Sequence, residues 1–148
     1  MDKKIILVII ALLVVVVGGF LAYSSLSGEI SFGTSKVTAP AGFEVTNHNE
    51  TEVTFSNDKT KLSIKEFDNG TVNKHVKDQY KRYQDTDIVL NKTFTIAQVP
   101  GKAIILKDEN NDTIHTYYFF EKNNKTYRLF SKGTYNKTAL EEVISSIS

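Results

Sequence analysis

The longest apolar segment lies near the N-terminus, where Ile5 to Tyr23 form an uncharged run of 19 residues rich in Ile, Leu and Val. As a helix, such a run would extend about 28 Å, close to the roughly 30 Å hydrocarbon core of a bilayer. Lys3 and Lys4 precede the run, and no comparable basic cluster follows it closely. The positive-inside rule therefore predicts a cytoplasmic segment 1–4, a signal-anchor helix over 5–23 that crosses the cell membrane once, and a domain outside the cell.

Two other interpretations of this run stay open. Ala22-Tyr23-Ser24 and Ser25-Leu26-Ser27 offer small residues to a signal peptidase, although the apolar core of a cleaved signal is usually shorter, at about 7 to 15 residues. A pilin-like subunit has a similar layout, but it requires Gly or Ala after the basic residue and an acid early in the helix. Here Ile5 follows Lys4, and no acid occurs before Glu29.

The residues after the apolar run predict a short tether followed by one small domain. Ser and Gly are frequent over 24–35, which is typical of a flexible linker. Residues 36–148 suffice for one hydrophobic core and are too few for two. Apolar residues then recur at every second position, which predicts half-buried strands; they are Phe43, Val45, Val53, Phe55, Leu62 and Ile64.

The rest of the domain is predicted to contain two helices and further strands. Val72, Val76, Tyr80 and Tyr83 recur at helical spacing and predict an amphipathic helix over 71–84. A second helix closes the chain, with Thr138 and Glu141 as a capping box. Strands are predicted at 88–90, 94–96, 102–107, 113–122 and 126–132, the third of them buried on both faces. Together these elements predict an α+β fold, an antiparallel β-sheet flanked by helices and preceded by one transmembrane helix.

The order of several short motifs resembles that of the PsbP-like superfamily. Ala39-Pro40-Ala41-Gly42-Phe43 opens the domain, and Val99-Pro100-Gly101-Lys102-Ala103 enters a buried strand. Tyr127 lies in the second arm of a long hairpin, and Ile144-Ser145-Ser146-Ile147 lies in the last helix. The resemblance covers about residues 36–148. It implies an antiparallel sheet with helices on its faces, no enzymatic activity, and a role in binding or supporting a larger assembly. No binding residue carries over, because none matches position by position.

Charge and composition exclude several classes of protein. Without Asp2, Lys3 and Lys4, the basic and acidic residues are equal in number, at 16 each. Nucleic-acid binders usually carry a basic excess, so no nucleic-acid partner is predicted. The chain has no cysteine, which excludes disulfides, thiolate metal sites and cysteine nucleophiles.

Six Asn-x-Thr sequons are candidates for N-glycosylation, and none has Pro at its middle position. All six are expected at turns or element ends, where a glycan would project into solvent. The alternative is that turns favour Asn and exported domains favour Thr, which would enrich the pattern without any modification. The six acceptors are Asn49, Asn69, Asn91, Asn111, Asn124 and Asn136.

Basic residues on the first amphipathic helix are the candidate partner contacts. Lys74, Lys77, Lys81 and Arg82 are expected on its exposed side, where they would meet anionic headgroups or an acidic polymer. A merely solvated helix face is the alternative. The consecutive aromatic residues from Tyr117 to Phe120 put aromatic side chains on both faces of one strand, so one face is a second candidate contact surface.

No catalytic residue, metal site or cofactor is predicted. The acidic stretch 108–112 has oxygen ligands at alternate positions, but a calcium loop would need Gly at Thr113 and Glu at Phe119, so a solvated turn is preferred. His48, His75 and His115 are far apart in the sequence and lack a metal-ligand spacing.

The sequence thus favours a membrane-anchored, non-enzymatic binding or accessory domain outside the cytoplasm, with a membrane or envelope partner. The alternative is a glycosylated structural or adhesive protein of the cell surface. A pilin-like subunit and a hydrolase are the remaining, weaker hypotheses.

Overall fold

The structure, a computed structural model, describes residues 29–83, 88–108, 110 and 112–148. Helix α1 covers Val72–Tyr80 and continues into a 3-10 turn at Lys81–Tyr83, and helix α2 covers Lys137–Ser146. The strands are β1 Ile30–Phe32, β2 Ser35–Val37, β3 Glu44–His48, β4 Glu52–Ser56, β5 Thr60–Phe67, β6 Ile88–Ile96, β7 Val99–Lys107, β8 Thr113–Lys122 and β9 Lys125–Gly133.

Seven of these strands form one antiparallel sheet in the order β3-β4-β5-β9-β8-β7-β6, and β1 pairs with β2 as a separate hairpin. Two-residue turns with positive φ connect β6 to β7, at Ala97 and Gln98, and β8 to β9, at Asn123 and Asn124. Such turns match the twist of paired strands, and Asn accepts positive φ more readily than Ala or Gln. The long pairing of β5 with β9 joins the N-terminal and C-terminal parts of the sheet.

The main hydrophobic core lies on one face of this sheet, beneath α2 and the β1–β2 hairpin. Leu140, Val143 and Ile144 of α2 are fully buried there, as are Phe120 and Leu129 of the sheet. The chain end is fastened to the hairpin, because Lys36 and Ser148 exchange two backbone hydrogen bonds of 2.9 and 3.0 Å. We call this side of the sheet the α2 face.

A buried carboxylate holds the β1–β2 hairpin on the α2 face. Glu66 is 5% exposed and accepts hydrogen bonds from the Thr34 backbone N–H, the Thr34 hydroxyl and the Ser35 hydroxyl, at 2.6, 2.8 and 2.6 Å. The Ser35 hydroxyl also lies 2.5 Å from the phenolic oxygen of Tyr127. Burial raises the pKa of Glu66, but these hydrogen bonds, together with the charge of Lys125, outweigh that effect and hold the pKa below its usual value.

The opposite face of the sheet is covered only in part. Helix α1 packs there on β7 and β8, where its Val76 joins Ile104 and Phe119 in a second, smaller cluster. Thr71 caps the helix by accepting a hydrogen bond from the Lys74 N–H at 3.2 Å. Over β5 and β9 the helix reaches only the near edge, where His75 stacks on Phe67 and Gln79 contacts Arg128, and its main contacts are with β7 and β8.

The predicted α+β class is wrong, because the described residues are mostly β, with 53% in strands and 20% in helices. The antiparallel sheet itself was expected. The difference arises in the second half of the domain, where four strands of 9 or 10 residues take up most of the chain. One of them, β6, runs without a break where two short strands were predicted.

The membrane-spanning helix predicted over 5–23 lies outside the described residues. Within the described ranges, no helix is both long and apolar enough to cross a bilayer. The predicted domain boundary at residue 36 is also displaced, since Ile30 and Phe32 of the supposed tether are buried in the core.

The helix predicted over 71–84 is confirmed as α1 and its 3-10 turn. The C-terminal helix is also confirmed, but its cap is Asn136, whose side chain accepts a hydrogen bond from the Ala139 N–H at 3.0 Å. The helix therefore begins earlier than a capping box of Thr138 and Glu141 would require, and its first turn contains no acid.

Candidate functional site

Positive charge collects on the face that carries α1, which we call the basic face. Its basic side chains are Lys61, Lys65, Lys102, Arg128 and Lys132 from the sheet, and Lys74, Lys77, Lys81 and Arg82 from the helical segment. The acids on the same face are Glu44, Glu52, Asp78 and Glu121. Among the described residues, nine basic and four acidic groups thus share one face of a domain with little net charge.

Strand pairing places like charges directly opposite each other at two positions of the basic face. Lys61 faces Lys132, and Lys65 faces Arg128, across the β5–β9 ladder. Opposed like charges destabilise an antiparallel pair by roughly 0.2–1 kcal/mol. The two pairs lie four residues apart along the strands, which corresponds to about 13 Å. Glu52 lies opposite Lys65 on β4 and 3.3 Å from Arg128, so it already offsets the second pair. An anion bound at Lys61 and Lys132 would relieve the repulsion of the first pair.

Arg128 is half-buried, with 20% of its side chain exposed. Its guanidinium lies 3.3 Å from the Glu52 carboxylate and 3.5 Å from the Gln79 side-chain oxygen. It also lies near the rings of Phe67 and Tyr117, at 6.0 and 5.8 Å from their centroids. Within the described part of the chain, no other basic side chain of this face has a carboxylate partner.

The aromatic side chains of the basic face contact one another and neighbouring histidines. Phe130 stacks on His115 with ring centroids 5.3 Å apart and lies 5.0 Å from Tyr117. Phe67 stacks on His75 at 3.7 Å. Burial raises the pKa of Tyr117 to about 12, with a smaller contribution from its hydrogen bond with Tyr83, so the phenol is neutral at physiological pH. Phe67, Tyr117 and Phe130 thus form an uncharged aromatic floor between the cations.

The four predicted contact residues all lie on the basic face. Lys74, Lys77, Lys81 and Arg82 are exposed, while Val76 and Gln79 on the opposite side of α1 are buried. The aromatic strand β8 contributes differently from the prediction. Its Tyr118 and Phe120 belong to the α2 face and its Phe119 lies beneath α1, so only Tyr117 reaches the open floor.

The sequon acceptors are dispersed over the molecule. Asn49, Asn69 and Asn124 are exposed in turns, and Asn136 is the half-buried cap of α2. Asn91 is exposed within β6 rather than at an element end, because β6 is a single strand. Asn111 lies outside the described residues. Glycosylation of any of these sites stays a prediction.

The acidic stretch after β7 and the three histidines make local contacts. The Asp108 carboxylate accepts backbone hydrogen bonds from Asn110 and Asp112, both at 2.9 Å, which fits a connecting turn. His48 and His75 each place Nε2 within 2.8 Å of a backbone carbonyl. Among the described residues, no group of three His, Asp or Glu side chains is arranged to hold a metal ion.

Five basic residues of this site, those of the sheet, were absent from the sequence prediction. Lys61 and Lys65 repeat at a spacing of four along β5, and Arg128 and Lys132 do so along β9, so each pair shares one face of its strand. That spacing could have predicted that each pair shares one face of its strand. The pairing of β5 with β9 could not be predicted, because the two strands are far apart in the sequence.

Comparisons with known proteins identify no family for this chain. No family model matches it, and no curated protein sequence matches it. A crystal structure of a protein from Bacteroides thetaiotaomicron, determined at 1.50 Å resolution, superposes with a TM-score of 0.49 and 16% sequence identity. The match covers 80% of this chain and 46% of that protein, so this chain spans less than half of the other protein's length. The resemblance to PsbP-like proteins is not addressed by these matches.

Proposed function

We propose that this domain is a non-enzymatic binding module that holds a linear phosphate polymer against its basic face. The observation that supports this most directly is the excess of five positive charges on one face, including the like-charge pair of Lys61 and Lys132 across β5 and β9. Such an arrangement weakens the folded domain slightly and becomes favourable when a polyanion lies along it. The extracytoplasmic location stays a prediction from the sequence.

The chemistry of the face favours phosphate without bases. Seven of its nine cations are lysines, whose ammonium groups act as point charges without directional demand. Arg128, whose planar fork suits carboxylates and phosphates alike, is already engaged by Glu52 and Gln79. A single-stranded nucleic acid would need aromatic rings on which bases stack. Phe130 and Phe67 instead stack on histidines of the domain itself.

The shape of the basic face also suits an elongated ligand. Helix α1 forms a ridge over β7 and β8, and the sheet surface over β4, β5 and β9 lies lower beside it. Cations lie on both sides of this step, with Arg82 near Tyr117 at the end of the helical segment and Lys61 and Lys132 on the sheet. A polymer chain lying along the step would contact both sets.

Changing Lys61 to Glu tests this proposal, because affinity and stability should respond in opposite directions. An opposite-charge pair with Lys132 replaces a repulsive one, so the free energy of unfolding should rise by about 0.2–1 kcal/mol. The charge of the face falls by two, so the dissociation constant for inorganic polyphosphate should increase about fivefold at low salt. Thermal unfolding and fluorescence anisotropy with labelled polyphosphate measure the two quantities.

Lys36→Glu is the matched control, since it makes the same charge change on an exposed residue of β2, on the other side of the sheet. It should leave the affinity nearly unchanged. Equal weakening by both variants would mean that net charge alone governs binding. Tighter binding of poly-glutamate, or of a single-stranded oligonucleotide with the same number of charges, would reject the phosphate assignment in favour of that polymer.

A further inference from the structure

An independent cleft opens on the α2 face, away from the basic face. It encloses about 420 Å³ between the outer strands β6 and β7 and the segment that links β9 to α2. Sites for small molecules commonly have volumes of about 300–1,000 Å³ and a mainly apolar lining with a few placed polar groups. The volume of this cleft lies in that range, and its lining mixes aromatic and aliphatic side chains with threonines, a serine and a lysine.

The cleft exists because small side chains occupy positions where bulky ones fill the rest of this face. Ala103 lies opposite Tyr118, and Thr116 lies opposite both Ser131 and Ile105. In the neighbouring part of the core, the corresponding positions carry Leu62 and Ile64. After β9 the chain turns at Gly133, whose φ of +94° bulkier residues rarely adopt, and passes to Tyr135 before α2 begins. The helix contacts β6 at the edge of this region, and the space beside Ala103 and Thr116 stays open.

The walls of the cleft combine rings with hydroxyl groups. Phe94 and Tyr118 meet edge to face at 5.0 Å and form an apolar corner with Ala103. Thr116 and Ser131, each 7% exposed, lie opposite each other on the floor, and each carries a hydroxyl group. Burial raises the pKa of Tyr118 to about 12, and the nearby Tyr135 adds to this, while a hydrogen bond with Thr116 opposes it. The phenol of Tyr118 is thus neutral and able to donate or accept a hydrogen bond.

The mouth of the cleft carries one cation and one exposed ring. Lys92 lies on the edge strand β6 and is exposed. Tyr135 is 61% exposed, more than Tyr80, the other exposed large hydrophobic side chain among the described residues. No carboxylate is among the described residues that line the cleft. A ligand with a negative group at the mouth would therefore meet Lys92 without opposition from a like charge.

We infer that this cleft binds a small cyclic compound with a single acidic group. Its ring would lie against Phe94, Tyr118 and Tyr135, its acidic group would face Lys92, and a polar edge would reach the hydroxyls of Thr116 and Ser131. This site is separate from the basic face, and its ligand is a small molecule rather than a polymer.

The probe for this site is 1-naphthoate, with the neutral 1-naphthylmethanol as its uncharged counterpart, and binding to the full chain is measured by isothermal titration calorimetry. We expect 1-naphthoate to bind the unmodified chain and 1-naphthylmethanol to bind more weakly.

Tyr135→Ala should weaken naphthoate binding about fivefold to tenfold, and because the side chain is exposed it should not impair folding. Lys92→Gln should remove most of the preference for the acid over the alcohol. Ala103→Leu, which fills the cleft, should abolish binding.

Lys61→Glu on the basic face is the control and should leave naphthoate binding unchanged. The inference is overturned if naphthoate fails to bind at millimolar concentration, or if Tyr135→Ala and Lys92→Gln have no effect. It is also overturned if Lys61→Glu weakens binding as much as Lys92→Gln does, because the probe would then occupy the basic face. The outcome for polyphosphate does not depend on any of these results.

Discussion

Replacement of Glu66 by Ala should lower the free energy of unfolding by about 3–5 kcal/mol, the largest effect of any single polar substitution proposed for this domain. The substitution removes the acceptor for three hydrogen bonds from Thr34 and Ser35, and it takes a partner from the buried Ser35 hydroxyl. It also removes the ion pair with Lys125, whose ammonium lies 3.7 Å from the carboxylate. Chemical denaturation measures the loss, and Glu50→Ala, at an exposed acid in the neighbouring turn, should cost far less. A loss under about 1 kcal/mol for Glu66→Ala would mean that the hairpin is held by apolar contacts alone.

The same carboxylate gives the stability a defined dependence on pH. In the folded protein the pKa of Glu66 lies below its usual value, whereas in the unfolded chain the pKa of a glutamate is about 4.3. Its contribution is therefore complete above the unfolded pKa and is lost as the pH falls through the folded pKa. The difference in melting temperature between the unmodified protein and Glu66→Gln should be constant near neutral pH and should narrow below about pH 4. A difference that widens in acid would contradict this assignment.

Replacement of Ile144 by Ala should cost about 2–5 kcal/mol, out of a typical total of 5–15 kcal/mol. Ile144 is fully buried and packs in the main core beneath α2, so truncation leaves a cavity in a closely packed region. Its exposed neighbour Ser145 provides the control, because Ser145→Ala should change stability little. Unfolding free energies of the two variants measure the contrast. An unchanged value for Ile144→Ala would show that α2 is not docked on the sheet.

The sequence predicted local structure well where periodicity is strong. The alternation at Val53, Phe55, Leu62 and Ile64 and the helical spacing from Val72 to Tyr83 both correspond to elements of the structure. It failed at the β6–β7 hairpin, whose turn residues Ala97 and Gln98 adopt positive φ without the Asn or Gly that usually marks such a turn. It also failed at the β1–β2 hairpin. A short segment rich in Ser and Gly has the composition of a linker. Here its order depends on a residue distant in the sequence, Glu66, which accepts its hydrogen bonds.

Four of the nine basic residues of the candidate site could be predicted from local pattern. Lys74, Lys77 and Lys81 lie on one helical stripe, and that stripe is visible in the sequence. Lys61 and Lys132 become neighbours only through the β5–β9 pairing, which joins segments far apart in the chain. The net charge of the chain is near zero and gave no sign of the charge difference between the two faces of the sheet. A net charge sums over all residues and does not report where they lie. The cleft beneath Tyr135 could not be predicted at all, since it depends on which small residues meet across four strands.

The central claim, that the basic face holds a linear phosphate polymer, is tested most directly by locating the bound polymer. The measurement is a titration of the ¹⁵N-labelled protein with inorganic polyphosphate, followed through the amide resonances. The largest shifts are expected along β5 and β9, at Lys61, Lys65, Phe130 and Lys132, and on the outer side of α1, and they should weaken as salt screens the charges. Shifts confined to the α2 face, or an unchanged spectrum at polyphosphate concentrations that saturate the anisotropy signal, would contradict the claim.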